Sequence, residues 1–284
     1  MKKQIKINFD SFWGGFDPNS NYFTNFLKEE FDVIISSNPD YLFYSVFGNN
    51  HLKCKCKKIF YTGENIEPDL NYTDWAFSFD YLDDKRNYRL PHYLLYDGYY
   101  SLINKQIDDT LLNRKFCSFV VSNGNCPDRN NFFTKLSKYK KIDSGGRHFN
   151  NLGYAVNDKA EFIKNYKFNI SFENSAHRGF NEHYTTEKLP QAMQANTIGI
   201  YLGNTQIEKE FNTKSFINVR DFKNHDEAIE YIIHLDKNDN EYMEVMKQSW
   251  FPNGNQIPEN NKEENIKAFY IKYLNNERKN NSKI

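Results

Sequence analysis

Short apolar or alternating runs dominate the first hundred residues. Ile5, Ile7 and Phe9 alternate with polar side chains, which predicts a β-strand with one buried face. Apolar residues at helical spacing occupy 21–31, which predicts a helix. Runs rich in β-branched and aromatic residues, each bounded by turn signals, predict further strands at 31–35, 41–47, 58–62 and 75–79. This part of the chain is therefore predicted to form an α/β unit.

Strand and helix patterns alternate regularly after a polar segment at 103–115. The predicted strands are 116–123, 167–172, 197–203 and 215–219. The predicted helices are 129–140, 189–195, 226–235 with Asp226 as its N-cap, and a weaker one at 263–274. Such alternation is typical of parallel βαβ units, which bind nucleotides at the carboxyl ends of their strands.

Composition and charge limit the classes of function. A chain of 284 residues forms one large domain or two of ordinary size, and 39% hydrophobic residues suffice for a packed interior. Positive and negative side chains balance at 37 each, so no strong net field directs the protein to nucleic acid or acidic membranes. We therefore expect a globular protein that does not bind nucleic acid.

The cysteines and the N-terminal sequence indicate a compartment. Cys54, Cys56, Cys117 and Cys126 lack the C-x₂-C spacing of structural zinc sites, and we interpret them as free thiols in a reducing environment. The N-terminal residues contain no apolar signal-peptide core, and no run approaches the roughly 18 apolar residues of a membrane span. We expect a cytoplasmic protein without an anchor in this chain.

Polar residues follow the predicted strand at 167–172 without a gap. Glu173, Asn174 and Ser175 are predicted to emerge at its carboxyl end. Carboxyl ends of parallel strands form the ligand-binding edge of a sheet. These three side chains are therefore candidates for a binding site.

A helix is predicted to begin shortly after this loop, near Thr185 or Thr186. Its free N–H groups and the Lys188 ammonium would stabilise an anion such as a diphosphate. Ordinary capping explains the same residues, with threonine accepting N–H bonds and Glu187 interacting with the helix dipole. Residue types alone favour capping.

Two further loops carry chemistry of the same kind. Arg129 lies at the head of a predicted helix after "SNGNCPD", and its planar guanidinium suits phosphate oxygens, although a surface arginine is the simpler explanation. Glu64 lies in a Gly/Pro loop after a predicted strand, where its carboxylate could take a proton from a hydroxyl or merely support a turn.

Several known motifs are absent from the chain. It contains no D-x-D triplet, which disfavours metal-dependent sugar transfer, and no P-loop, G-x-G-x-x-G or G-x-S-x-G motif. His177, Glu182 and His183 share one loop and could hold a metal, but polar residues of long loops are usually solvated. We predict no metal site.

The sequence "FENS" followed by "YTTEKL" resembles the signature of the α-1,3/4-fucosyltransferase family, F-x-F-E-N-S…Y-x-T-E-K. Further blocks that resemble the bacterial members lie, in the family's order, at 60–96, 120–133, 144–154 and 209–232. One departure is the segment 176–183, which is longer than the corresponding loop commonly is in the family.

The resemblance implies an α/β fold of GT-B type, with two Rossmann-like domains facing a central cleft. It implies an acceptor-binding domain at 1–110, a GDP-sugar-binding domain at 111–250 and a tail at 251–284 with a weak helix. It further implies an inverting reaction without a metal in the chemical step.

The resemblance also assigns roles to residues. Glu64 matches the general base that deprotonates the acceptor hydroxyl, and Arg129 and Lys188 match residues that neutralise the diphosphate. Tyr184 and Glu187 match residues near the ribose, phosphates or fucose. Under this interpretation Glu173, Asn174 and Ser175 form the strand-end edge of the donor pocket.

The implied function is transfer of L-fucose from GDP-fucose to a glycan such as N-acetyllactosamine, at the 3-OH of GlcNAc, for decoration of surface polysaccharide or lipopolysaccharide. No cofactor is implied beyond the donor substrate. The partners are GDP-fucose and an oligosaccharide or glycolipid, with peripheral contact at the inner membrane face left open. The alternatives are the same fold with another nucleotide sugar, or a non-catalytic glycan-binding relative.

Overall fold

The computed structural model describes residues 2–96, 98–174 and 183–275. By its contacts the chain divides into two compact units, each with one parallel sheet. Unit 1 comprises Met1–Pro91 and Ile266–Ile284, and unit 2 comprises His92–Asn265. The predicted boundaries were at 110 and 250, whereas residues 92–110 and 251–265 group with unit 2 and residues 266–284 group with unit 1. The assignment of acceptor and donor binding to the two domains stays a prediction.

Unit 1 contains a six-stranded sheet in the order β2-β1-β3-β4-β5-β6, and all of its pairs are parallel. Its strands are β1 Lys3–Asp10, β2 Phe31–Ile35, β3 Tyr41–Tyr44, β4 Lys57–Tyr61, β5 Trp75–Ser78 and β6 Asn87–Arg89, and helix α1 is Tyr22–Lys28. The five predicted strands are confirmed. Strand β6 was not predicted because three residues without a fully buried side chain give no period-2 pattern.

Aromatic rings form much of the core of unit 1. Phe23 of α1 lies 4.9 Å from the Tyr61 ring, measured between centroids. The Phe77 ring stacks on Tyr270 at 4.4 Å. Tyr270 belongs to the C-terminal helix Glu263–Asn275, which confirms the weak helix predicted at 263–274. The end of the chain therefore supplies a core residue of unit 1.

Unit 2 contains a five-stranded parallel sheet in the order β11-β10-β9-β7-β8. Its strands are β7 Lys115–Phe119, β8 Ile142–Ser144, β9 Tyr166–Ile170, β10 Ile198–Tyr201 and β11 Ile217–Asn218. Its helices are α2 Pro127–Leu136, α3 Lys159–Ile163, α4 Lys188–Gln194, α5 His225–Lys237 and α6 Asp239–Lys247. The C-terminal helix Glu263–Asn275, most of which groups with unit 1, is α7. The sequence patterns missed β8, α3 and α6. The N-cap of α5 is Asn224, whose Oδ1 accepts the N–H groups of Asp226 and Glu227 at 2.9 and 3.0 Å, so the predicted Asp226 cap was wrong.

The chain order in unit 2 creates a topological switch point. From β7 the chain moves to β8 on one side, and from β9 it moves to β10 on the other, while β7 and β9 pair with each other. The segments that leave the carboxyl ends of β7 and β9 therefore start side by side and diverge. In open parallel sheets, ligands bind in the crevice at such a point.

The cysteines correct one prediction. Cys54 and Cys56 form a disulfide, with their Cα atoms 5.4 Å apart, so the interpretation of all four as free thiols was wrong for this pair. Cys117 and Cys126 are buried and take no part in this disulfide, and burial raises the pKa of the Cys117 thiol. Among the described residues, no helix has the length and apolar character needed to cross a membrane.

Candidate active site

Arg129 joins the two loops at the switch point. It lies in the first turn of α2, fully buried, so the alternative of a surface arginine was wrong. Its guanidinium donates to the carbonyl of Asn123, which follows β7, and to the side-chain oxygen of Asn174, which follows β9. Burial lowers the pKa of Arg129, and its Nε has no hydrogen-bond partner among the described residues. A buried N–H without an acceptor costs about 1–3 kcal/mol, so an anion that reached this donor would be stabilised.

Glu173 anchors the start of α4 to the end of β9. Its fully buried carboxylate accepts the Thr186 N–H and the Thr186 hydroxyl, both at 2.7 Å, and the Lys188 Nζ at 2.9 Å. Lys188 Nζ also donates to Thr186 Oγ1 at 2.8 Å. The nearby carboxylates raise the pKa of Lys188 although burial opposes them. Glu173 therefore fixes a charged ammonium beside the switch point.

The same contacts explain where α4 begins. The helix starts at Lys188, not at Thr185 or Thr186, and its N-cap Glu187 makes no side-chain capping bond. The Thr186 N–H is bound by Glu173, which lies 13 residues earlier. The alternative of ordinary threonine capping was therefore wrong.

Glu187 lies in an electrostatically crowded position. Its Oε2 is 3.7 Å from His92 Nδ1. Burial alone would raise the pKa of Glu187, but His92, Lys188 and Lys159 outweigh it and hold the pKa far below its ordinary range. The carboxylate is therefore ionised at neutral pH. It borders a cavity of about 440 Å³, here termed the α4 cavity, whose lining includes Tyr93, Tyr96, Asp158, Lys159, Glu187 and Gln191.

The turn after β10 completes this region, and the sequence patterns missed it. Asn204 donates from Nδ2 to Thr185 Oγ1 at 3.0 Å, beside the nearly buried Tyr184. A Cβ atom on Gly203 would lie 2.3 Å from the Tyr201 hydroxyl oxygen and 2.7 Å from Glu173 Cγ, so only glycine fits here without displacement. The one sequence signal was the pair Gly203-Asn204 at the end of the strand predicted at 197–203.

Three further predicted residues, Ser175, His177 and Glu182, lie outside the described residues. His183 Nε2 is 2.9 Å from Gln206 Nε2. Within the described ranges, no group of three His, Cys, Asp or Glu side chains is arranged to hold a metal ion.

Glu64 belongs to unit 1, whereas the residues around Arg129 and Lys188 belong to unit 2. It is exposed in the turn after β4, where its N–H donates to Thr62 Oγ1 at 3.0 Å and its carbonyl accepts the Ile66 N–H at 2.8 Å. The turn therefore fixes the backbone of Glu64 and leaves its side chain exposed.

Comparison with known protein families decides the relationship. Residues 7–96 match the family described as the N-terminal domain of alpha-(1,3)-fucosyltransferase FucT. Residues 112–279 match the C-terminal part of glycosyltransferase family 10, the fucosyltransferases. The chain belongs to glycosyltransferase family 10. The family predicted from "FENS…YTTEKL" is thus confirmed.

Individual members of family 10 are similar over most of this chain. "Alpha-(1,3)-fucosyltransferase FucT" of Helicobacter pylori is 34% identical over 294 residues, which cover 86% of this chain but 60% of that protein. The chain thus spans less than two thirds of the length of this relative. A crystal structure of alpha1,3-fucosyltransferase matches with a TM-score of 0.84 at 31% identity, over 96% of this chain and 90% of the other. A crystal structure of alpha1,3-fucosyltransferase with GDP-fucose matches with a TM-score of 0.82 at 30% identity, over 97% and 91%. These matches confirm the predicted α/β fold of GT-B type.

Proposed function

We propose that this protein transfers L-fucose from GDP-fucose to a hydroxyl group of a glycan acceptor. Membership of family 10 and the similarity to an alpha1,3-fucosyltransferase crystallised with GDP-fucose support this function. The observation that carries it is the pair of cations, Arg129 and Lys188, held by Asn174 and Glu173 at the switch point of unit 2.

The two cations suit the chemistry of the leaving group. When the bond to fucose breaks, negative charge grows on the diphosphate of GDP. Cations that are already oriented stabilise that charge more in the transition state than in the ground state, and so lower the barrier. Glu173 orients Lys188, and Asn174 and the Asn123 carbonyl orient Arg129. Tyr184 and Glu187 contact the ribose, phosphates or fucose in this proposal.

Glu64 acts as the general base. A sugar hydroxyl is a weak nucleophile until its proton is removed, and a positioned base contributes about 10²–10⁴ in rate. An exposed carboxylate on a fixed turn of unit 1 suits an acceptor that binds this unit. The displacement inverts the anomeric carbon, and side-chain cations rather than a metal neutralise the diphosphate in the chemical step.

The acceptor is a glycan such as N-acetyllactosamine, fucosylated at the 3-OH of GlcNAc, in an oligosaccharide or glycolipid. The biological role that fits is decoration of surface polysaccharide or lipopolysaccharide by a cytoplasmic enzyme, with peripheral contact at the inner membrane face. The resemblance of the sequence to bacterial members of the family supports this role.

The test is a transfer assay with a panel of donors and acceptors, read by mass spectrometry of the product. We expect a deoxyhexose to be added to N-acetyllactosamine from GDP-fucose, and no product from UDP or dTDP sugars. Product from another nucleotide sugar alone would contradict the proposed donor. Glycan binding with neither nucleotide binding nor product would contradict the proposed activity.

A further inference from the structure

The segment that follows β1 exposes a tryptophan side chain. Trp13 is 42% exposed, although tryptophan is highly buried on average. Its ring packs on two neighbours, with centroid distances of 5.5 Å to Phe12 and 5.3 Å to Phe16. A Cβ atom on the next residue, Gly14, would meet no atom of a non-adjacent residue within 4 Å. The surface beside the indole is therefore open.

The core of unit 1 fixes the position of this indole. The Phe12 and Phe16 rings that support it lie 4.2 Å apart, and Phe9 of β1 packs on Phe16 at 5.0 Å and on Phe43 of β3 at 5.1 Å. Ser11 has a φ of 59°, which residues other than glycine adopt where the surrounding structure imposes it. An indole that is already held in place loses little freedom when a ligand binds.

The strand register places Trp13 and Glu64 at the same edge of the sheet. Asp10, Tyr44 and Phe60 are aligned across β1, β3 and β4. Trp13 follows Asp10 by three residues, and Glu64 follows Phe60 by four. Strand β3 lies between β1 and β4, so two strand spacings, about 10 Å, separate β1 from β4.

Side-chain and backbone contacts connect the segments at this edge. The Phe12 ring lies nearly parallel to that of Tyr61, the last residue of β4, with 6.5 Å between centroids. Phe47, in the segment after β3, is 55% exposed, and its N–H donates to the Ser11 carbonyl at 3.0 Å. Two exposed aromatic rings therefore share an edge with the exposed Glu64 carboxylate, and exposed apolar patches of this kind mark binding surfaces.

We propose that Trp13 binds a sugar ring of the glycan acceptor by stacking, at the sheet edge that carries Glu64. The C–H groups on the face of a pyranose ring are slightly positive, and the face of an aromatic ring is negative. Polar groups for the sugar hydroxyls lie close by, since Asn50 Nδ2 and Ser11 Oγ donate to the Asp10 carboxylate at 3.3 and 2.7 Å. The separation of about 10 Å between β1 and β4 suits an acceptor of two or more sugar rings. The inference rests on the proposed function, because it names an acceptor contact for the same reaction.

The first measurement is the acceptor KM for fucose transfer from GDP-fucose to N-acetyllactosamine by the wild type, Trp13→Ala, Trp13→Phe and Tyr72→Ala. Tyr72 is the matched control, because its ring is 59% exposed and it lies three residues before β5, at the opposite edge of the same sheet. We expect Trp13→Ala to raise the acceptor KM about tenfold, with kcat and the KM for GDP-fucose unchanged, since the stacking contact is the same in the ground and transition states. Trp13→Phe keeps an aromatic face, so its acceptor KM should lie between those of Trp13→Ala and the wild type.

The second measurement, tryptophan fluorescence, follows glycan binding without turnover. Trp250 is buried and Trp75 is half-buried, so Trp13 is the indole that a ligand reaches. Adding N-acetyllactosamine in the presence of GDP should change the emission of the wild type and of Tyr72→Ala, but not that of Trp13→Phe. Thermal unfolding shows whether each variant is folded, and Trp13→Phe supplies the test if Trp13→Ala is not.

Two results would overturn the inference: a wild-type acceptor KM in Trp13→Ala, or the same emission change in Trp13→Phe as in the wild type. Vesicles of phosphatidylcholine and phosphatidylglycerol test a different occupant. Emission that responded to these vesicles and not to the glycan would identify a membrane contact and would also overturn the inference. Failure of the proposed function has a different signature: Trp13 emission responds to N-acetyllactosamine, yet the wild type transfers no fucose.

Discussion

At the scale of single residues, Glu173 has the largest expected effect on stability. Its buried carboxylate pairs with Lys188, whose side chain is only 14% exposed. Glu173→Ala would leave this cation without its partner, so we expect a loss of about 3–5 kcal/mol in the free energy of unfolding, measured with urea. The exposed pair of Glu161 and Lys164 is the matched control, and Glu161→Ala should cost less than about 1 kcal/mol. Equal losses of unfolding free energy in Glu173→Ala and Glu161→Ala would contradict the anchoring role of Glu173.

Replacing Glu64, in contrast, is expected to change stability little and catalysis strongly. Glu64→Gln keeps the shape of the side chain but cannot accept the proton. We expect kcat to fall by about 10²–10⁴ with GDP affinity unchanged. Glu67→Gln, a second exposed carboxylate close by in the chain, should keep wild-type kcat. If Glu64→Gln turned over like Glu67→Gln, another residue would be the base.

The low pKa of Glu187 predicts how the stability of the protein changes in acid. Although burial opposes it, the surrounding cations hold the folded-state pKa of Glu187 below its ordinary value of 4.5. A depressed carboxyl pKa contributes stability that is present above pH 4.5 and is lost as pH falls from there toward the folded-state value. We expect the urea midpoint to fall less between pH 5 and 3 in Glu187→Gln than in the wild type. If the urea midpoint fell equally in both proteins, Glu187 would not be held ionised by its neighbours.

At the scale of elements, substitutions of Tyr270 test whether helix α7 packs into the core of unit 1. Its ring packs on Phe77 in the core of unit 1, but its buried hydroxyl has no partner among the described residues. Tyr270→Ala should cost about 3–5 kcal/mol, as for other large aromatic deletions. Tyr270→Phe should be neutral or stabilising, since it removes only an unsatisfied polar group. Urea unfolding measures both, and a large loss in Tyr270→Phe would contradict this view of the core.

The elements also show how far the sequence patterns could reach. Strands β1–β5 were predictable because their apolar residues alternate or cluster between turn signals. Strands β6 and β8 have three residues each and helix α3 has five, too few for a period to appear. The start of α4 could not be predicted, because the partner of the Thr186 N–H is a carboxylate brought in by the tertiary fold.

The candidate site also has features that the sequence predicted and features that it did not. The motifs identified Arg129 and Lys188 as cations, since "PDRN" and "TEK" are local. The contact of Arg129 with Asn174 follows from the pairing of β7 with β9, and Glu173 lies 15 residues before Lys188, so no local pattern contains either contact. Candidate side chains were therefore predictable, and their arrangement was not.

At the scale of the whole molecule, the two units contain parallel sheets with different roles in the proposal. The donor cations lie in unit 2, and the proposed base lies in unit 1. The balance of 37 positive and 37 negative side chains leaves no strong net field, so in this proposal local cations recognise the charged donor. The central claim is that Lys188 at the switch point of unit 2 serves fucose transfer from GDP-fucose.

The most direct test is kcat/KM for fucose transfer from GDP-fucose to N-acetyllactosamine by the wild type, Lys188→Met and Lys214→Met. All three proteins are compared at a temperature where circular dichroism shows them folded. Lys214 is the control because it is exposed and lies outside the candidate site. We predict that Lys188→Met lowers kcat/KM by about 10² or more, as expected for removal of one transition-state donor, and that Lys214→Met does not. Equal kcat/KM values for the three proteins would contradict the claim.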